Sequence, residues 1–322
     1  MTALAAVVDA GGASVSRLLA RVEERMAEIA ESHGALLGRY AGDTMSAGGK
    51  RLRPLLLCLA AGVPTPESED IVRAGAAVEL VHAATLVHDD VLDQASMRRG
   101  RPTVVARGGR ALATSTGDLL FSRAFAELAQ VEASPVEAVR ILARASAELA
   151  SGELMQRADA YDLDVTVERY QERCRLKTAV LFRAACELGA LLGGGDSDVL
   201  ARFAERIGIA FQILDDVLDI AGSPDQTGKA RGTDLLDGTV TLPLILARQA
   251  DPLLARLDLR ALSGQREVES VCALIAASGA LERARQEALA LVAQAKADLP
   301  RLPGRQRVAL ELVADGVVER YS

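Results

Sequence analysis

Six aspartates in two identical pentapeptides dominate the chemistry open to this sequence: Asp89-Asp90-Val91-Leu92-Asp93 and Asp215-Asp216-Val217-Leu218-Asp219. In a helix, carboxylates at i, i+1 and i+4 fall within one arc of about 100°. Ionised carboxylates held that close repel one another, and burying them is strongly unfavourable unless a cation neutralises them. A hard divalent ion is the fitting partner. Mg2+ takes a few carboxylates together with phosphate oxygens and retained water, so two such clusters suit a substrate that carries a diphosphate. For either copy alone, a solvated acidic helix face is the alternative reading. Letter-for-letter repetition inside apolar stretches argues against it for the pair.

The surroundings supply cations and polar groups. His82 precedes Asp89 by seven residues, which places it only about 20° away on the same helix face. It could line the same cavity or serve as a hydrogen-bonded histidine between helices. Just downstream, Met97-Arg98-Arg99-Gly100 places two guanidinium groups at the expected end of the carboxylate helix, and such groups suit bidentate contact with phosphate oxygens. Gln212 lies three residues before Asp215, at about 60° within the carboxylate arc, where its amide could meet a substrate oxygen or orient a carboxylate. Lys229 sits in the Gly-rich stretch Gly228-Lys229-Ala230-Arg231-Gly232, a pattern shared by phosphate-binding loops and ordinary surface turns. The segment Gly48-Gly49-Lys50-Arg51-Leu52-Arg53-Pro54 packs three cations into four residues. Lys50 and Arg53 at i and i+3 can point the same way, as an anion site or as a solvated basic turn. Lys177-Thr178, in a helix-like run from Tyr170 to Ala190, adds a cation and a hydroxyl.

Helical periodicity dominates the elements that must position these groups, as in Val15 to Leu37, Ile71 to Leu92, Pro135 to Ala160 and Ala201 to Ile220, and no run of strands is credible. Breaks fall at Ala47-Gly48-Gly49, Val63-Pro64-Thr65-Pro66, Arg99-Gly100-Arg101-Pro102, Gly193-Gly194-Gly195 and Ser223-Pro224. None is long or polar enough to serve as a domain linker, so residues 1–322 are expected to form a single all-helical domain. Half the residues are hydrophobic but only 3% are aromatic, which predicts a core of Ala, Leu, Val and Ile in closely packed helices. A net charge of -7 argues against general nucleic-acid binding, so any anion site is local. Cys58, Cys174, Cys186 and Cys272 form no CxxC pair and read as core residues in a reducing compartment. Asp9 interrupts the early apolar residues and no basic region precedes them, which argues against a signal peptide. No uncharged apolar run approaches the roughly 20 residues of a membrane span. A cytoplasmic protein without an integral membrane segment is the expectation.

Together these motifs closely resemble the polyprenyl synthetase family, the trans-isoprenyl diphosphate synthases. The match runs from about Gly48 to Pro243 and includes GGKRLRP, His82 before HDDVLD, the RRGRPT turn, Gly117-Asp118, Gly152-Glu153 with Gln156, Lys177-Thr178, and QILDDVLD followed by GKARGTDLLDGTVTLP. The order and spacing of several independent motifs make it specific. The resemblance implies an all-α helical bundle of the isoprenoid synthase type with a central apolar cavity, in an enzyme that joins isopentenyl diphosphate head-to-tail to an allylic diphosphate. It implies Asp89, Asp93 and Asp215 as direct Mg2+ ligands, with Asp90, Asp216 and Asp219 either touching metal or supporting the residues that do, and three ions per site once substrate is bound. Arg98, Lys177, Thr178, Gln212 and Lys229 would bind the allylic diphosphate, and Lys50, Arg53, His82 and Arg99 isopentenyl diphosphate. Lys177 and Arg98, with Asp89 and Asp215, would act on the departing diphosphate itself. A homodimer is also implied.

Three positions depart from the family's pattern: Gln94 where a further acid is frequent, Thr239 where many members have a second lysine, and Arg320 as the sole cation of the C-terminal tail. Ala84 and Thr85, five and four residues before Asp89, are small. Short-chain members of the family frequently carry aromatic residues there, so a product longer than C15 is expected, with medium to long chains favoured over C20. Phe121 or Phe125 could close the chain-length region instead. Alternatives are a short-chain farnesyl or geranylgeranyl diphosphate synthase, a terpene cyclase, which Lys50, Arg53 and the absence of Trp disfavour, or a non-catalytic modulatory subunit, which two intact aspartate motifs disfavour.

Overall fold

The computed structural model describes residues 3–32, 40, 42, 45, 51–62, 68–98, 100–222, 230–262 and 264–319. In chain order its helices are α1 (Ala3–Gly11), α2 (Ala13–Ser32), α3 (Leu52–Ala60), α4 (Glu69–Leu92), α5 (Val104–Leu128), α6 (Pro135–Ala158), α7 (Val167–Cys174), α8 (Val180–Gly193), α9 (Ser197–Ala221), α10 (Thr233–Leu236), α11 (Leu242–Ala250), α12 (Pro252–Ala255), α13 (Gln265–Ala277), α14 (Ala280–Ala297) and α15 (Gly304–Glu319). A π-helical turn, Arg175–Ala179, joins α7 to α8. Among the described residues the only strands are β1 (Met97–Arg98) and β2 (Arg101–Pro102), an antiparallel hairpin between α4 and α5. Contacts group the chain into two compact units. One comprises Met1–Ser146, Leu181–Ala201 and Leu299–Val313, the other Ala147–Val180, Arg202–Asp298 and Ala314–Ser322.

In the first unit α4 is the core helix, and α2, α3 and α5 pack on it. Its buried residues run almost continuously from Ala74 to Val81 rather than along one stripe, as a helix surrounded by neighbours requires. By length and apolarity α4 could cross a membrane, but 72% of its apolar window is buried inside the protein. Its start is well specified: the Ser68 hydroxyl accepts from the Ile71 N–H at 3.4 Å, and Glu69 and Asp70 occupy the first turn, where the partial positive charge of the helix start favours acids. Glu79 is a buried acid in the middle of this helix, and Arg51 donates to it at 2.8 Å.

In the second unit α11 packs against α14, α13 and α7. Pro243 sits in the first turn of α11, where its missing N–H costs nothing. The sparse aromatics are spent at depth. Tyr170 and Phe203 in this unit, and Phe182 in the first, are among the largest fully buried side chains in a core otherwise made of Leu, Val, Ile and Ala.

Candidate active site

The first aspartate cluster occupies the end of α4. Asp89 and Asp90 lie in its last turn, and Asp93 is the residue that stops it, with its N–H bonded to the Asp89 carbonyl at 2.8 Å. That turn holds no basic residue, so three carboxylates sit at the negative end of the helix dipole. Such an arrangement is unfavourable without a cation. Asp89 is half-buried and Asp93 exposed, whereas Asp90 is 3% exposed. Arg98 Nε donates to Asp90 Oδ1 at 2.8 Å. Burial pushes the Asp90 carboxyl upward, and Arg98 offsets this only in part.

The hairpin explains how Arg98 reaches back. Met97 pairs with Pro102 and Arg98 with Arg101, and the Thr103 hydroxyl donates to the Ala95 carbonyl at 2.6 Å while accepting from Ala106 N–H at the start of α5. The turn after the carboxylate helix is therefore fixed at both ends. On the other side, the His88 ring lies over Gly117 of α5, where a Cβ would fall 2.2 Å from Nε2. His88 also stacks on Phe121 with centroids 5.8 Å apart.

The second cluster lies in the last two turns of α9, again with no basic residue in the last turn. Asp215 is half-buried and Asp216 and Asp219 are buried. Asp216 accepts from the Tyr170 hydroxyl at 2.6 Å and from Gln212 Nε2 at 2.8 Å, and Gln212 Oε1 in turn accepts from the Thr178 hydroxyl at 2.6 Å. Burial drives the Asp216 carboxyl up, against the pull of those two donors. Asp219 Oδ2 accepts from the Asp234 N–H at 3.3 Å, at the start of α10. Lys177 Nζ lies 2.6 Å from Glu153 Oε2, and although burial alone would raise Glu153, Lys177 and Arg157 bring it below the usual carboxylate range.

Two close approaches bring these groups together. A Cβ on Gly152 of α6 would lie 2.9 Å from the Lys177 nitrogen, and one on Gly208 of α9 would lie 2.6 Å from the Ala179 Cα. Both neighbours belong to the π turn. The extra residue of a π turn shifts the side chains that follow it relative to a regular helix, a device common at functional sites.

Of the remaining expected residues, Arg53 lies over the Phe182 ring at 4.9 Å, His82 is half-buried, and Lys50, Arg99 and Lys229 lie outside the described residues. Arg51, between Lys50 and Arg53, is committed to Glu79 and Glu23. Ala84 is wholly buried, while Thr85 is half-buried and donates its hydroxyl to the His82 carbonyl at 2.8 Å. Among the described residues no group of three or more His, Cys, Asp or Glu side chains gathers tightly enough to enclose an ion. The half-buried Asp89 and Asp215 and the exposed Asp93 are the carboxylates open to an ion such as Mg2+, which completes its shell with phosphate oxygens and water.

Residues 35–277 match the family model described as Polyprenyl synthetase. The chain belongs to the polyprenyl synthetase family. It is 39% identical to heptaprenyl diphosphate synthase component 2 of Geobacillus stearothermophilus over 82% of this chain and 83% of that one. It is 35% identical to the geranylgeranyl diphosphate synthase of Methanosarcina mazei, over 88% of both. Its structure resembles the polyprenyl synthase of Caulobacter crescentus complexed with calcium and isoprenyl diphosphate, with a TM-score of 0.86, 36% identity, and coverage of 99% and 98%. The expected all-α fold of the isoprenoid synthase type and the expected prenyltransferase class both hold for this polyprenyl synthetase. What the motifs did not single out is Tyr170. Its signal in the sequence was faint: a tyrosine seven residues before Lys177 in a chain with four.

Proposed function

We propose that this polyprenyl synthetase condenses isopentenyl diphosphate head-to-tail with an allylic diphosphate, within one catalytic domain spanning residues 1–322, to give an all-trans prenyl diphosphate longer than C15. The observation that carries this reading is the pair of DDVLD clusters, each at a helix end that offers no cation of its own. Asp89, Asp93 and Asp215 would hold Mg2+ directly. Asp219 would join them, and Asp90 and Asp216 would support them through the hydrogen bonds described above. Three bound ions would supply Lewis-acid stabilisation to the departing diphosphate.

The chain's own residues perform the rest. Lys177, Thr178, Gln212, Arg98 and Lys229 bind and orient the allylic diphosphate, so that charge developing on its bridging oxygen is met by fixed donors. The C–O bond breaks with its electron pair leaving on diphosphate. Lys50, Arg53, His82 and Arg99 hold isopentenyl diphosphate with its double bond toward the cation. Its π electrons form the new C–C bond, and a proton then passes to the released diphosphate. Apolar walls rich in Ala and Leu keep water from the cation. Of the small pair Ala84 and Thr85, Thr85 is the half-buried one that leaves room for a growing chain, and the enzyme acts in the cytoplasm.

A homodimer is the simplest assembly. The name of the Geobacillus relative, component 2, supports a second reading in which a further chain is needed. One experiment addresses all of this: purified protein is incubated with Mg2+, labelled isopentenyl diphosphate and C5, C10, C15 or C20 allylic starters, and product lengths are measured. Elongation by the chain alone supports the homodimer, and elongation only with an added partner supports the second reading. No elongation from any starter under either condition would refute the enzymatic assignment.

A further inference from the structure

Tyr170 is the most buried polar aromatic of the second unit, at 1% exposed, and its hydroxyl makes one of the shortest side-chain contacts in the carboxylate region, 2.6 Å to Asp216 Oδ2. The ring is fixed from behind. Arg173, itself 4% exposed, lies 5.5 Å from the ring centroid and donates to the Val240 carbonyl. On the other Asp216 oxygen the donor is Gln212, whose amide is oriented by Thr178. A continuous chain of hydrogen bonds therefore runs Tyr170–Asp216–Gln212–Thr178. One end, Tyr170, lies on α7 just before the π turn that carries Lys177, and the other, Thr178, lies within that turn.

We propose that Tyr170 is a positioning residue that clamps Asp216, and through Gln212 and Thr178 sets the register between the second aspartate helix and the Lys177 turn. This rests on the prenyl-transfer reading above and adds a role that neither aspartate motif contains. The physical basis is the cost of burying a carboxylate: each donor removed leaves a lone pair without a partner, and the helix shifts to find water or another donor. A shift of α9 moves Asp215 and Asp219 with Asp216, because all three lie within two turns. Tyr170 never touches substrate in this scheme.

The test is Tyr170→Phe, which keeps the ring and removes only the hydroxyl, compared with Phe203→Leu, a core change in the same unit that leaves the hydrogen-bond chain intact. Mn2+ binding in the presence of inorganic diphosphate is titrated by electron paramagnetic resonance, alongside steady-state kinetics with a C15 starter. Tyr170→Phe is expected to weaken Mn2+ binding and lower kcat by about tenfold, the scale of one hydrogen bond to a charged group, with KM for isopentenyl diphosphate unchanged. Phe203→Leu is expected to lower thermal stability without weakening Mn2+ binding. Should Tyr170→Phe not fold, Thr178→Val cuts the same chain at its far end and is expected to weaken Mn2+ binding in the same direction. Mn2+ affinity equal to wild type in whichever of these variants folds overturns the proposal, as does equal weakening in Phe203→Leu. If wild-type protein elongates no starter, the prenyl-transfer reading fails, while the Mn2+ titration still decides the role of Tyr170.

Discussion

Replacing Gly208 with alanine tests whether the contact between α9 and the π turn holds the site together. On helix propensity alone, a glycine-to-alanine change in a helix interior stabilises by about 1 kcal/mol. Here the new Cβ would lie 2.6 Å from the Ala179 Cα and 2.8 Å from its Cβ. Neither atom can rotate away, so the helix itself must move. Overpacking of this kind costs about 1–3 kcal/mol. The movement also opens the 2.6 Å bond from Thr178 to Gln212, and losing that adds about 1 kcal/mol. Set against the propensity gain, the net expectation is a loss of about 1–3 kcal/mol. Urea denaturation followed by far-ultraviolet circular dichroism measures it. The same displacement separates Gln212 from the Lys177 turn, so kcat should fall in the fraction that remains folded. A variant more stable than wild type, with unchanged kcat, would refute the close approach and with it the account of how Lys177 and Asp216 are placed.

Four further outcomes follow from the same geometry. Thr85→Phe should shorten the product, because Thr85 is half-buried and can take bulk, whereas Ala84 is wholly buried and Ala84→Phe should unfold the helix packing before it alters length; an unchanged product distribution for Thr85→Phe removes the reason for assigning long chains. Asp89→Ala should abolish elongation in the isolated protein while leaving its circular dichroism unchanged, and retained turnover would point to a modulatory role. Arg51→Leu should destabilise by about 3–5 kcal/mol, the cost of leaving a buried charge uncompensated, because Glu79 loses its donor at 2.8 Å, and a chemical denaturation curve matching wild type would count against that pair. All four thiols should resist Ellman's reagent in native protein at pH 8 and react in denaturant, since all are buried and burial pushes Cys58 to about 12 and Cys272 to about 11; rapid native labelling would contradict that burial.

The long helices were readable because their apolar periodicity and their Gly and Pro breaks agree. Ile71 to Leu92 lies within α4, and Pro135 to Ala160 overruns α6 by only two residues. The β1–β2 hairpin was not readable as strands, since two residues per strand carry no alternation to detect. Nor was the π turn, because Arg175–Ala179 has ordinary helix-forming residues, and the close approaches of Gly152 and Gly208 to it are tertiary contacts that local periodicity does not carry. Charge arithmetic identified the aspartates as needing cations but left open what each carboxylate does. That depends on partners distant in sequence: Arg98 for Asp90, and Tyr170, 46 residues away, for Asp216.

The two DDVLD copies show why identical letters do not give identical roles. In each, the second aspartate is buried and takes hydrogen bonds from the protein, but the donor to Asp90 is a guanidinium and the donors to Asp216 are a phenol and an amide. A cation beside Asp90 offsets its charge and leaves that cluster less demanding of metal. Neutral donors around Asp216 satisfy its lone pairs without cancelling its charge. Arg173 acts on Asp216 through charge without donating a hydrogen bond to it, and burial and Asp215 work against that help, so the charge crowding at this cluster is relieved less directly than at Asp90. The second cluster should accordingly depend more steeply on divalent ion than the first, so Asp215→Asn should raise the Mg2+ concentration for half-maximal activity more than Asp93→Asn does. Equal shifts in the two variants would mean that the difference between Arg98 and Tyr170 has no bearing on metal binding.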